Sequence, residues 1–359
     1  MEVTKYLSYL RVDTNVLKHN MLHVLAFLCV LFSVACSNIH KTNLDNISEV
    51  EGIVAVKDAD QSVKLKFCSK GIDLNTPFLI GSVSKQFTAI LAIKHLKTLF
   101  NTEIITLITD DEFQAILKNL QETEVIPFWP QLKLQTLKGT TIHDLLMHSA
   151  TIDYATGERI NRYKYHNLNY ALVGKCLEKQ TKRSYTELAH DLFVEAGMTN
   201  TFLHDDFSEK ELWTKLQKAL VIANCSPQKL KNPLTTTMNP AGGAVSTARD
   251  LLRWNEFLHQ NKCFDVLTKA TVPIGDGNFY GLGIITNKNK SLFWHTGAIV
   301  AVFLEEILFT CVLIYDMSQA RSFVGFDVAN ITDVTCNSED TMGAKIDERV
   351  DMLVRKCVK

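Results

Sequence analysis

The stretch FLIGSVSKQFTA, residues 78–89, is the most informative part of the chain. It sets Ser82 and Lys85 three residues apart at the opening of a segment in which Val83, Phe87, Ile90 and Leu91 recur at the apolar period of a helix. This predicts a helix from Ser82 to near Phe100-Asn101, with Ser82 and Lys85 on one face. A serine hydroxyl needs a base before it becomes a nucleophile. The positive end of a helix dipole favours the alkoxide, and a lysine whose pKa is lowered by burial accepts the proton. An isolated Ser-x-x-Lys is more often a capping serine followed by a solvated lysine. Here apolar neighbours are at hand to bury the amine, and the flanking sequence decides between the two readings.

Four further segments follow in order: TIHDLLMHSATI (141–152), YHNLNYALVGKCLEKQTKRSYTELAHDLFVEAGMTNT (165–201), NPAGGAVSTARDLLRW (239–254) and HTG (295–297). With the first, they resemble the active-site segments of the penicillin-recognising serine hydrolases, the superfamily of serine β-lactamases and penicillin-binding proteins. Within it the phrasing is nearest to the class C β-lactamase branch, which includes D-alanyl-D-alanine carboxypeptidases and β-lactamase-like esterases. The resemblance runs from about residue 52 to the end and weakens after Gly297.

It implies Ser82 as nucleophile, Lys85 and Tyr165 as the proton-moving pair, and Asn167 as a hydrogen-bond partner of the substrate amide and the lysine. His295, Thr296 and Gly297 would form a substrate-binding strand beside the cleft, and the backbone N–H of Ala298 would complete an oxyanion hole with that of Ser82. Nearby cations or donors would lower the Tyr165 phenol from its usual pKa of about 10. Some positions depart from the pattern. Ala150-Thr151 stands where Ser-Gly is usual, the loop between His148 and Tyr165 is short, and AIVAVFLEEILFT after Gly297 lacks a glycine-rich turn and carries Glu305-Glu306. An open or reshaped pocket is expected. His295 replaces a frequent lysine; with an ordinary pKa of about 6.5 it would hold a substrate carboxylate only as imidazolium, which points away from a dedicated β-lactamase.

Strand signals lie at both chain ends. Residues 52–57 (GIVAVK) and 63–68 (VKLKFC) read as a hairpin turned through Asp58 to Gln61, with Val63, Leu65 and Phe67 on a buried face. Late runs at 280–286, 292–294, 298–304 and 307–315 are β-branched or aromatic, and Met342, Ile346, Val350, Leu353 and Cys357 form the apolar stripe of a closing helix. The predicted fold is α+β: an antiparallel sheet built from both ends and covered by helices, beside a helical subdomain, as in the β-lactamase/transpeptidase-like fold. The expected division is 1–37 as signal peptide or anchor and 38–359 as the hydrolase domain, with a sheet part at about 38–100 and 240–359 and helices at about 101–239.

Composition narrows the function. In 359 residues, 38 basic and 39 acidic side chains leave a net charge of −1, so no field favours nucleic acid. Residues 21–35 (MLHVLAFLCVLFSVA) are short for a membrane span and suit the core of a secretory signal, with cleavage near residues 35–37 or lipidation at Cys36. The expected location is exported, periplasmic or membrane-anchored through the N-terminus. The seven cysteines after Cys36 form no CxxC pair and read as small buried hydrophobes. His190, Asp191 and Glu195 read as a helical surface patch, and neither a metal nor a cofactor is expected. The expected activity is that of an exported serine acyl hydrolase working through an acyl-enzyme, carboxypeptidase-like or β-lactamase-like, on a peptidoglycan peptide, a β-lactam or an ester. The alternatives are a short-chain carboxylesterase on the same mechanism and a catalytically weak peptidoglycan-binding module.

Overall fold

The computed structural model of the chain describes residues 50–122, 132–153, 156–302, 306–330 and 349–354. Its strands are β1 (Gly52–Lys57), β2 (Val63–Cys68), β3 (Phe78–Leu79), β4 (Thr151–Ile152), β5 (Arg159–Ile160), β6 (Phe202–Leu203), β7 (Ala244–Ser246), β8 (Val272–Gly275), β9 (Asn278–Tyr280), β10 (Ile285–Asn287), β11 (Leu292–Val302), β12 (Glu306–Asp316) and β13 (Arg321–Asn330). Its α-helices are α1 (Lys85–His95), α2 (Asp110–Glu122), α3 (Ile142–Met147), α4 (Asn167–Thr181), α5 (Tyr185–Glu195), α6 (Glu209–Lys215), α7 (Gln217–Ile222), α8 (Asn239–Gly242), α9 (Ala248–Gln260) and α10 (Cys263–Leu267).

Both ends of the chain meet in one eight-stranded sheet of order β2-β1-β13-β12-β11-β10-β9-β8, as the α+β reading anticipated. Every pairing in it is antiparallel. Because side chains alternate along a strand, the central strands feed two cores. Ile53, Ala55, Phe309, Cys311, Leu313, Val324 and Phe326 face the helices. Val54, Val56, Leu308, Val312, Ile314 and Phe323 face the other way, where Val350 and Leu353 of a helical turn at 349–354 cover them. The other stripe positions of the expected closing helix, Met342, Ile346 and Cys357, lie outside the described residues, as do 21–35 and Cys36.

Several expectations change in detail. The central strand β13 was not read from the sequence, although its run of Phe323, Val324, Phe326 and Val328 carries the β signal. The two runs expected at 292–294 and 298–304 join into the single strand β11, which places residues 295–297 mid-strand. Val63 and Leu65 are exposed, because β2 is an edge strand and the second-face layer reaches only Phe67. Cys176, Cys225 and Cys311 are buried and Cys68 and Cys263 half-buried, and burial pushes the Cys176 thiol up to about 12.

Helix α1 is the axis of the helical layer and packs on α4, α5 and α8. Its residues 85–92 are all buried, polar ones included, so it is enclosed on every side rather than amphipathic. Each polar side chain inside it is therefore answered. Gln86 Oε1 accepts from Trp254 Nε1 at 2.8 Å, and Thr88 Oγ1 donates to Pro240 O at 2.6 Å. Phe87 stacks edge-on against Trp254 and Phe193, at 4.7 and 5.1 Å between ring centres.

Candidate active site

The path from β3 into α1 is tighter than a helix start. Ile80 N–H donates to Ala244 O at 3.1 Å, which ties the chain to β7. Gly81 then takes φ +50°, a left-handed conformation that suits glycine. Residues Gly81–Ser84 form a 3-10 turn before α1 begins at Lys85. Ser84 locks that turn: its hydroxyl donates to Gly81 O at 2.7 Å and accepts from Ala244 N–H at 3.2 Å. From 81 to 92 every residue is buried except Ser82, which is half-buried. Ser82 is thus the residue that this rigid segment presents to solvent, and it is not the helix N-cap.

Lys85 is wholly buried. Its Nζ lies 3.0 Å from Ser82 Oγ, 2.7 Å from Asn167 Oδ1 and 2.7 Å from Ala241 O. Three acceptors match the three protons of an ammonium. A neutral amine fits equally well: two N–H groups donate to Asn167 Oδ1 and Ala241 O, which leaves the lone pair directed at Ser82 O–H. The arrangement holds the nitrogen in place through a proton transfer. Asn167 opens α4 and Ala241 lies in α8, so three elements remote in sequence meet at this atom.

Tyr165 precedes α4 and is 4% exposed. Lys85 Nζ sits 4.7 Å above its ring centre. Around it are the rings of His148 at 4.5 Å, Tyr280 at 6.1 Å and His295 at 6.2 Å. His148 and Tyr280 were not singled out in the sequence; no spacing signal marks them, since they reach the site from α3 and β9 only through folding.

His295 is buried and has both ring nitrogens engaged. Nδ1–H donates to Thr296 O at 2.6 Å, and Nε2 accepts from Tyr280 O–H at 3.1 Å. Burial, reinforced by the nearby Lys85 charge, lowers its pKa to about 3. The expectation that it titrates near 6.5 and binds a carboxylate as imidazolium is therefore corrected: it stays neutral, because an apolar, tyrosine-lined setting disfavours the cation.

Strand β11 abuts the turn closely. A Cβ at Gly297 would lie 1.9 Å from Ile80 O and 3.0 Å from Ser82 N, and one at Gly81 would lie 2.7 Å from Ala298 N. The backbones of Ser82 and Ala298 thus line the same seam. Strand alternation sends the Thr296 side chain away from His295 and Gly297, to the face of Trp294 and Ala298, so its contribution on this side is the carbonyl that holds His295. His190, Asp191 and Glu195 go to three separate partners, Asp206, Arg183 and Lys94.

The sequence matches the Beta-lactamase family over residues 48–319. Among solved structures, the chain is similar to a penicillin-binding protein from Bacillus halodurans, with 15% identity, 83% of this chain and 96% of that one covered, and a TM-score of 0.50. It is also similar to an octameric penicillin-binding protein homologue from Pyrococcus abyssi, with 18% identity, 88% and 73% covered, and a TM-score of 0.49. No curated protein sequence matches it.

Proposed function

The chain belongs to the β-lactamase family, and from that premise we propose that it is a serine acyl hydrolase that works through an acyl-enzyme on Ser82. The observation that carries this reading is the Lys85 amine, buried and held by Asn167 and Ala241 at 3.0 Å from a solvent-facing serine hydroxyl. Lys85 takes the Ser82 proton as Oγ attacks the carbonyl carbon. The oxyanion forms in the seam where the N–H groups of Ser82 and Ala298 lie, and Tyr165 with Lys85 returns a proton to the leaving group. Water then releases the acyl group by the reverse sequence. A binding-only module has no use for a buried lysine aligned on a serine.

Carboxypeptidase-like and β-lactamase-like action on peptidoglycan peptides or β-lactams is one form of this activity; short-chain ester hydrolysis is the other. The neutral His295 favours the second, since it offers no cation to a substrate carboxylate. Export with residues 1–37 as signal or anchor belongs to the same proposal, on the strength of the apolar run 21–35.

The deciding experiment is covalent labelling with a fluorophosphonate and with a fluorescent penicillin, read by intact mass. The Ser82→Ala protein should take up neither probe while melting within a few degrees of wild type. An adduct that persists on the alanine variant would show that the nucleophile lies elsewhere.

A further inference from the structure

His148 follows α3 in a left-handed conformation, φ +55°, and is completely buried. Its carbonyl accepts from Lys164 N–H at 3.0 Å. Its Nδ1 faces two donors, His166 N–H at 3.3 Å and Asn169 Nδ2 at 3.1 Å. Nδ1 is therefore the unprotonated nitrogen and the ring proton sits on Nε2, which is buried without a hydrogen-bond partner among the described residues. The two backbone contacts fall on Lys164 and His166, the residues on either side of Tyr165, and the imidazole itself packs 4.5 Å from the Tyr165 ring.

We infer that His148 is a positioning residue for Tyr165: its carbonyl and its Nδ1 clamp the backbone N–H groups on both sides of the tyrosine. The inference rests on the acyl-hydrolase reading above. Asn169 extends the clamp, since its Oδ1 accepts from Thr151 Oγ1 at 2.7 Å and so turns its amide nitrogen to His148. The clamp runs from the end of α3 to the first turn of α4, where Asn167 holds Lys85.

The test uses two substitutions that both tolerate φ +55°. His148→Asn puts a carboxamide oxygen where Nδ1 was and keeps an acceptor for His166 N–H; His148→Gly keeps the backbone and removes the acceptor. Each is made in the wild-type and Tyr165→Phe backgrounds, and acylation by a chromogenic ester is measured together with thermal melting. We expect His148→Gly to slow acylation by roughly 10- to 100-fold, as a misplaced catalytic group does, and His148→Asn to stay within about 3-fold of wild type. In the Tyr165→Phe background the same glycine substitution should cost less than about 3-fold, because the group it positions is gone. If the glycine variant does not fold, His148→Gln takes its place: it keeps the bulk but carries its oxygen past the Nδ1 position. An equal loss in both backgrounds, or a loss in His148→Asn as large as in His148→Gly, would overturn the positioning role while leaving the acyl-hydrolase reading intact. Normal turnover of Tyr165→Phe alone would instead remove the role of Tyr165, and the clamp with it.

Discussion

Lys85 has its three acceptors in three different elements, so replacing it removes the candidate base and leaves two buried carbonyl oxygens, of Asn167 and Ala241, short of a donor. Lys85→Ala should lower acylation by roughly 10²–10⁴, the range of a positioned acid or base, and should also lower the melting temperature. Tyr165→Phe removes only the phenol oxygen. It should give a comparable kinetic loss with little change in melting, so stopped-flow ester hydrolysis beside calorimetry separates the two. Turnover near normal in both would assign proton transfer to another group. At His295, a pKa near 3 means that the ring is uncharged throughout pH 5–8. The ratio of KM values for a carboxylate-bearing and a neutral ester should then stay constant over that range. A ratio rising as pH passes 6.5 would restore the imidazolium. That Ser82, Lys85, Tyr165 and Asn167 would meet was implied by the resemblance of their segments, and the structure gathers them at the Lys85 amine. The charge state of His295 was not legible in the sequence, because it depends on Tyr280 and on burial.

Among the elements, the contact between β11 and the 3-10 turn decides the shape of the reaction centre. Gly297→Ala would drive a methyl to 1.9 Å from Ile80 O, a backbone atom anchored through Ile80 N–H to β7, so the strand has to retreat. The expected outcome is loss of fluorophosphonate labelling by at least roughly 10²-fold, since a shift of about 1 Å is enough for that. The melting temperature should fall as well, and a fully labelled variant would show that the seam is not the oxyanion site. Helix α1 illustrates how sequence and fold differ here. Its apolar spacing announced a helix with neighbours to bury Lys85, but the partners of its polar side chains at 85, 86 and 88 were decided only by Trp254, Pro240, Asn167 and Ala241, which lie far off in the sequence.

In the whole molecule, His148, His166 and His295 are buried with pKa values pushed down by desolvation. The unfolded chain, with histidines near 6.5, binds more protons than the native state between that value and the depressed one. Stability therefore rises with pH through this window and is lost as pH falls below about 6.5, each such histidine contributing a slope approaching about 1.4 kcal/mol per pH unit. Asp327 works the other way: burial, only partly countered by Arg349 at 3.1 Å, raises it to about 6, so between about 4 and 6 its protonation favours the native state. Burial lowers His95, His143 and His204 in the same direction, so with six histidines set against Asp327 the melting temperature should drop on going from pH 7 to pH 5, and His295→Asn should flatten that slope. A melting temperature independent of pH over this range would contradict the buried neutral histidines. By itself the sequence determined the helix and strand periodicities, the α+β class and the order of the motif residues, all of which rest on spacings of a few residues. The tertiary structure alone decided the central place of β13, the meeting of Asn167 and Ala241 on Lys85, and the neutral state of His295. Those depend on which residues distant in the chain enclose one another, and on the loss of water that the enclosure brings.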